Sequence, residues 1–226
     1  MTAPVQDWRE FALGDLLRFS NGINADKSAY GAGVPFANVL EVITNESIIE
    51  ADIPGRITIA PTLRRRYEVK PGDVLFNRTS ETPDEVGLAS VYLGTGLIVF
   101  GGFVLRGQPL TDELSMSYSK YAFRSPIVRN QIVARGQGGI RANIGQRDLK
   151  SVTVRLPSRP EQSAIADALD DVSALIATLE RQVAKKQAIK HGLMQQLLIG
   201  SSRLPGFSAK WYEVSLGDTG NQWLRS

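Results

Sequence analysis

The chain is 226 residues long and 42% hydrophobic, enough for one sizeable domain with an extension. It holds 26 Lys and Arg against 23 Asp and Glu, a net charge of +3, with one His and no Cys. Those counts exclude disulfide scaffolds, Cys-based zinc sites, iron–sulfur clusters, thiol nucleophiles and any site needing two imidazoles, while +3 is too small to establish a polyanionic partner by itself.

Met1–Glu10 carries Asp7, Arg9 and Glu10 with no apolar run behind them, so the reading is a cytoplasmic protein without a signal peptide. Residues 1–157 read as a mixed, β-rich domain. Short apolar runs such as Val34–Val39, Val74–Phe76 and Val152–Val154 alternate with Gly, Pro, Asn and Asp turn signals. Lys70-Pro71-Gly72-Asp73 is a turn leading into a strand. Gly87–Leu105 has no charge over 19 residues and imitates a membrane span, but its five glycines suit turns between short buried strands; no membrane partner is expected. Ser117–Ala134 is the best helix candidate of this region, broken or started at Pro126.

Residues 158–200 read as one long helix. Ser158 and Glu161 have the spacing of a capping box, and Pro160 suits a first turn. Ile165, Leu169, Val172, Ile176, Leu179 and Val183 then alternate in steps of four and three, the spacing of a coiled-coil seam; Ile189, Leu193 and Leu197 resume it. Glu161, Asp167, Asp170, Asp171 and Glu180 precede Arg181, Lys185, Lys186 and Lys190, matching the helix dipole. A helix of this length is a rod of roughly 60 Å. Its seam calls for another helix, in a second copy or a second unit, and Gly200 can end it in a left-handed conformation. Residues 201–226 read as a linker and the start of a second unit. Trp8-Arg9-Glu10-Phe11-Ala12-Leu13-Gly14-Asp15 recurs 203 residues later as Trp211-Tyr212-Glu213-Val214-Ser215-Leu216-Gly217-Asp218.

Catalytic motifs are scarce. No phosphate-binding G-x-x-x-x-G-K-[ST] or G-x-G-x-x-G is present, and neither is an Asn/Asp-Pro-Pro-aromatic methyltransferase loop. Asp52 with Glu68-Val69-Lys70 imitates the metal site of a nuclease, although Lys70 equally suits the polar turn at Pro71-Gly72. His191, in the basic late turns of the helix, has no nearby nucleophile in sequence. No catalytic, metal-binding or cofactor-binding residue is assigned.

Basic residues are segregated along the chain. Six lie between Arg124 and Lys150 with one acid, and six between Gly55 and Ser80 with two; the segment 81–123 between them holds five acids and two bases. Folded together, the two basic stretches would give one face for phosphate contact. Arg64-Arg65-Arg66 reads as either a solvated face or a DNA contact. Asn77-Arg78-Thr79-Ser80 after the Val74–Phe76 strand, and Gln137, Arg141 and Asn143 in a glycine-rich loop, carry groups able to read base edges. The open alternative is that Thr79 and Ser80 cap a turn and the glycines serve chain reversal.

The assembled pattern resembles the DNA-specificity subunit of type I restriction–modification enzymes. The residues that carry the resemblance are Trp8–Asp15; Pro71-Gly72-Asp73-Val74-Leu75-Phe76-Asn77-Arg78 with Glu85-Val86-Gly87; Leu156-Pro157 with Glu161-Gln162 and Ile165-Ala166; and Leu197-Leu198-Ile199-Gly200 with Arg203–Phe207 and Trp211. The resemblance implies an α+β protein, a β-rich target-recognition domain followed by a long coiled-coil-forming helix. It implies a non-catalytic subunit that binds double-stranded DNA and docks modification subunits, which carry the S-adenosylmethionine and methylate adenine. A separate motor/nuclease subunit would cleave. Family members hold two recognition domains and two helices, whereas here the second unit stops at Ser226. Two copies pairing their seams antiparallel would restore the missing half and read a bipartite, palindromic site. Two other readings remain: a truncated assembly or decoy subunit that docks modification subunits but binds DNA weakly, and the metal nuclease.

Overall fold

A computed structural model describes residues 8–138, 141–211 and 213–215. In chain order the elements are β1 (Arg9–Ala12), α1 (Leu13–Leu16), β2 (Leu17–Asn21), β3 (Tyr30–Ala37), α2 (Val39–Thr44), β4 (Ser47–Ile48), β5 (Arg56–Ile57), α3 (Pro61–Tyr67), β6 (Glu68–Val69), β7 (Val74–Asn77), β8 (Thr79–Ser80), β9 (Ala89–Tyr92), β10 (Ile98–Phe100), β11 (Val104–Pro109), α4 (Met116–Ala122), α5 (Pro126–Arg135), β12 (Ala142–Asn143), α6 (Gln146–Lys150), β13 (Thr153–Leu156) and α7 (Arg159–Leu198). The α+β reading holds. The chain divides into two compact units, Met1–Leu169 and Asp170–Ser226.

The first unit is built on two sheets. One runs β2-β11-β7-β9-β4 and the other β5-β3-β10-β6. Side chains alternate across the first sheet with the period of two that a strand imposes. Val74, Phe76, Ala89, Val91 and Leu105 enter one core, where Phe76 meets Phe19 and Phe123 at ring-centroid distances of 5.7 and 5.4 Å. Leu75, Tyr92 and Val104 enter a second core with Ile98 and Phe100. Strands buried on both faces explain why β7 and β9 read as unbroken apolar runs.

The uncharged stretch from Gly87 becomes β9, β10 and the start of β11, and among the described residues no helix is long and apolar enough to cross a membrane. The expected helix over 117–134 is two, α4 and α5, with Pro126 opening the second. Before β7, Asp73 N–H donates to Lys70 O and Asp73 Oδ2 accepts from Lys70 N–H, each at 2.9 Å, closing the expected turn. The first copy of the W-x-E repeat is the entry to the fold: β1 pairs antiparallel with β13, and Leu13 is buried in the first core. The second copy lies partly outside the described residues, at 212 and 216–218.

The long helix is present, and Gly200 follows it at φ +74°. The two compact units divide inside α7 rather than at its start, because its first turns belong to the domain: Gln162 and Ala166 are buried, and Ile165 packs against the first core. Gln162 is the fastening. Its Oε1 accepts from Ser115 N–H at 2.8 Å, and its Nε2 donates to Glu113 O at 2.8 Å and Pro157 O at 3.0 Å. An apolar side chain there orphans three buried main-chain groups, so Gln162→Leu is expected to lose about 2–4 kcal/mol. The measurement is the urea midpoint, at an unchanged slope.

Candidate nucleic-acid interface

Two of the proposed reading segments, far apart in sequence, meet in space. β8 pairs antiparallel with β12, setting Thr79 opposite Asn143 and Ser80 opposite Ala142. Gln137 joins as a third rung: its N–H donates to Asn143 O at 2.8 Å and its C=O accepts from Asn143 N–H at 2.7 Å. Arg78 is held on both sides, donating its N–H to Phe103 O at 2.9 Å and accepting from Ile144 N–H at 3.0 Å. Gly138, at φ +122°, turns the chain after Gln137, and any Cβ there would run into the Arg141 carbonyl.

The side chains on this ladder differ in what they can offer. Asn143 is exposed and fixed: its Oδ1 accepts from Thr79 Oγ1 at 2.6 Å, and its Nδ2 donates to Arg141 O at 3.0 Å. One lone pair and one N–H remain, the pair that adenine's N6 and N7 require. The Arg141 guanidinium rests on Glu81 at 2.8 Å, both side chains largely exposed. Such a surface pair is worth little, so a phosphate or a base edge can replace Glu81. Among the described residues the Arg78 guanidinium has no hydrogen bond or ion pair, and Gln137 is exposed.

Ser80 departs from the expectation. It is buried, donates to Glu85 Oε2 at 2.8 Å and accepts from Thr82 N–H at 3.1 Å. Hydrogen bonds from Thr82 and Ser80 hold the Glu85 carboxyl below its ordinary value. Ser80 therefore supports the ladder and does not face a ligand. Asn77, read from the sequence as part of the same base-reading loop, supports it too and does not face a ligand. It is fully buried, with Nδ2 on Glu85 O at 3.0 Å and Oδ1 taking Thr79 N–H at 3.3 Å.

Arg64, Arg65 and Arg66 sit in the last turn of α3, outside the ladder. Arg65 and Arg66 are exposed, with Arg66 over the Tyr67 ring at 5.4 Å, while Arg64 is half-buried. The basic stretch 124–150 does not present one face. Arg124 and Arg129 are directed inward onto main-chain carbonyls, and burial lowers the pKa of both guanidinium groups. Asp52, Glu68 and Lys70 have local duties. Asp52 Oδ2 accepts from Ile49 N–H at 2.9 Å, Glu68 O accepts from Arg106, and Lys70 belongs to the Asp73 turn. Among the described residues no three carboxylate, imidazole or thiol groups cluster for a metal ion. His191 is exposed beside Gln195 on its own helix.

The seam of α7 is uncovered. Leu169, Val172, Leu175, Ile176, Leu179, Val183, Leu193 and Leu198 are all exposed, and Leu197 is half-buried. Ile176, Leu179, Glu180 and Val183 border a hollow of about 340 Å³, the four-cornered site that a partner knob fills in coiled-coil packing. Ile165 is excluded from this seam, since it packs against the domain core.

No protein-family model matches the chain. Among curated proteins it is similar to a putative type I restriction enzyme specificity subunit (MjaX) of Methanocaldococcus jannaschii, 25% identical over 195 residues that make up 85% of this chain and 45% of that protein. It is also similar to the type I restriction enzyme EcoKI specificity subunit of Escherichia coli K12, 26% identical over 203 residues, 87% of this chain and 42% of the other. The chain resembles one half of a type I specificity subunit. It spans less than half the length of those two relatives. Solved structures share its fold. One, from a study of complex assembly and conformational transition in the type I R-M system, matches with a TM-score of 0.63 at 23% identity, over 89% of this chain and 48% of its own. The HsdS subunit of Thermoanaerobacter tengcongensis matches with a TM-score of 0.57 at 21% identity, over 86% and 46%. The S subunit from M. genitalium matches at 0.56 and 16%, over 87% and 47%.

Proposed function

We propose that this chain is a non-catalytic DNA-recognition subunit of a type I restriction–modification methyltransferase complex. Its ladder reads one half of the target, and two copies pair through α7 to read a bipartite, palindromic site. Modification subunits supply S-adenosylmethionine and the methyl transfer, and a motor/nuclease subunit supplies cleavage. The observation that carries the reading is the meeting of Arg78, Thr79, Gln137 and Asn143 on one hydrogen-bonded ladder, with Arg141 beside it. Their main chain is fixed, and the side chains of Arg78, Gln137 and Asn143 keep unspent donors or acceptors, which is what sequence readout requires.

The test is selection from a pool of randomised DNA duplexes by the full chain with its modification subunit. The pool is expected to yield a two-part motif, with affinity falling steeply as salt rises. Asn143→Ala and Arg78→Ala are each expected to cost about 1–3 kcal/mol and relax preference at one position per half-site. Arg65→Ala should weaken all sequences alike and lower the salt slope by about 1, as a phosphate contact does. A complex that captures modification subunits and enriches no sequence would instead be the assembly or decoy subunit.

A further inference from the structure

The tight turn that carries the chain from β10 in one sheet to β11 in the other holds an aromatic side chain that is largely outside the core. Phe103 is 58% exposed, yet the main chain on both sides of it is hydrogen-bonded. Gly101 N–H donates to Ala37 O at 2.9 Å, Gly102 N–H to Ile23 O at 2.8 Å, and Val104 N–H to Gly101 O at 2.9 Å. Phe103 O in turn accepts the Arg78 N–H, so the ring stands one main-chain hydrogen bond from an arginine of the reading ladder. It shares a cleft of about 710 Å³ with Tyr30 and Leu40, themselves 43% and 64% exposed. Large apolar groups clustered in the open mark a binding surface.

The charge around the cleft favours a polyanion over an apolar protein face. Arg56 lines it with a guanidinium fixed on Ile53 O and Gly55 O. The acid of the cleft, Glu41, is buried and spends its carboxylate on the Asn38 N–H at 2.9 Å. An aromatic turn with Arg56 in its cleft and Arg78 bonded to its main chain has the chemistry of a side chain that enters a base stack, where the ring replaces one base contact and the cationic surroundings favour the backbone.

Resting on the DNA-recognition reading above, we infer that Phe103 is a stacking wedge: it enters the duplex at the base step next to the one that Arg78 reads, and the cleft it shares with Tyr30 and Leu40 takes the face of the loosened nucleobase. Pyrimidine–purine steps open most easily, so the wedge selects for sequence at a position without hydrogen-bond readout.

The experiment compares the full chain and its Phe103→Ala and Phe103→Trp variants, each with the modification subunit, on duplexes from the selection. 2-Aminopurine is placed at the step beside the Arg78-dependent position. Wild type is expected to brighten the probe on binding and to enrich TA or CA/TG there. Phe103→Ala should bind about ten- to a hundredfold more weakly, lose the brightening and lose that step from its consensus, while its thermal midpoint and its Arg78-dependent position are kept. Phe103→Trp should restore binding and brightening. A Phe103→Ala variant with the same consensus and the same brightening overturns the wedge while leaving the recognition reading intact. Unchanged DNA binding with weakened capture of the modification subunit overturns it in favour of a protein-docking face. A wild-type chain that enriches no sequence overturns the wedge and the reading together.

Discussion

Aspartate at both Ile176 and Leu179 should leave the chain monomeric at concentrations where the wild type sediments as a dimer. Both side chains border the hollow on the exposed face of α7, with Val183 one turn further on. In a paired helix they would be the knobs and corners of the central layer. Four carboxylates would then be buried without partners across the twofold, and removing such a packing layer weakens association by about 4 kcal/mol, a thousandfold in Kd. Pairing direction follows from charge. Asp167, Asp170 and Asp171 lie in the first half of the helix, and Arg181, Lys185, Lys186 and Lys190 in the second, after Glu180. Antiparallel copies set acids against bases, and parallel copies set like against like. Sedimentation equilibrium over a range of concentrations reads the change, with circular dichroism showing that the helix persists. In the selection assay the double variant should still enrich a half-site and lose its mirror image. A wild-type chain that is monomeric throughout removes the pairing proposal.

Arg124→Leu should be the most destabilising single substitution away from the apolar cores, at about 3–5 kcal/mol. The side chain runs inward, where Nε donates to Ala89 O at 2.8 Å and Nη2 to Val42 O, Ile43 O and Asn45 O at 2.8, 3.3 and 2.6 Å. One guanidinium thus ties the end of α2 to strand β9 across the second core. Removing it leaves four carbonyls without that donor, and each buried acceptor so abandoned costs on the order of 1 kcal/mol or more. Arg124→Lys should recover little, because a single ammonium cannot span carbonyls on two elements as a planar fork does. Denaturant midpoints of the two variants check this. A lysine variant as stable as wild type would show that charge rather than fork geometry is what the site needs.

The features that could be read in advance were those with a local period. The four-three spacing of α7, the proline that splits α4 from α5 and the glycine-punctuated strands after Gly87 each state their structure within a few residues. The ladder was half legible. Polar side chains after an apolar strand pointed to Arg78 and Thr79, and those of a glycine-rich loop to Gln137, Arg141 and Asn143, but nothing local showed that residues 79 and 143 would pair. Ser80 shows where such reasoning fails, since a hydroxyl reads the same whether it faces solvent or is buried against a neighbouring carboxylate such as that of Glu85. Arginines fail for a related reason. Arg124 and Arg129 added to an apparent basic face because the carbonyls that bind them lie 35 to 82 residues away in sequence. Phe103 was hidden in the opposite sense, an apolar residue amid apolar strands whose exposure depends on the turn that carries it. Ile165 obeys the seam's spacing and still belongs to the domain.

The strand pair of β8 and β12, with Gln137 beside it, closes through main-chain groups that every amino acid except proline supplies. Its geometry is therefore nearly indifferent to the letters written on it. Side chains at 79, 137, 141 and 143 contribute little to any of the buried cores, so exchanging them carries little penalty in folding. Side chains on this ladder can therefore change while stability stands still, which separates what the surface presents from whether the chain folds.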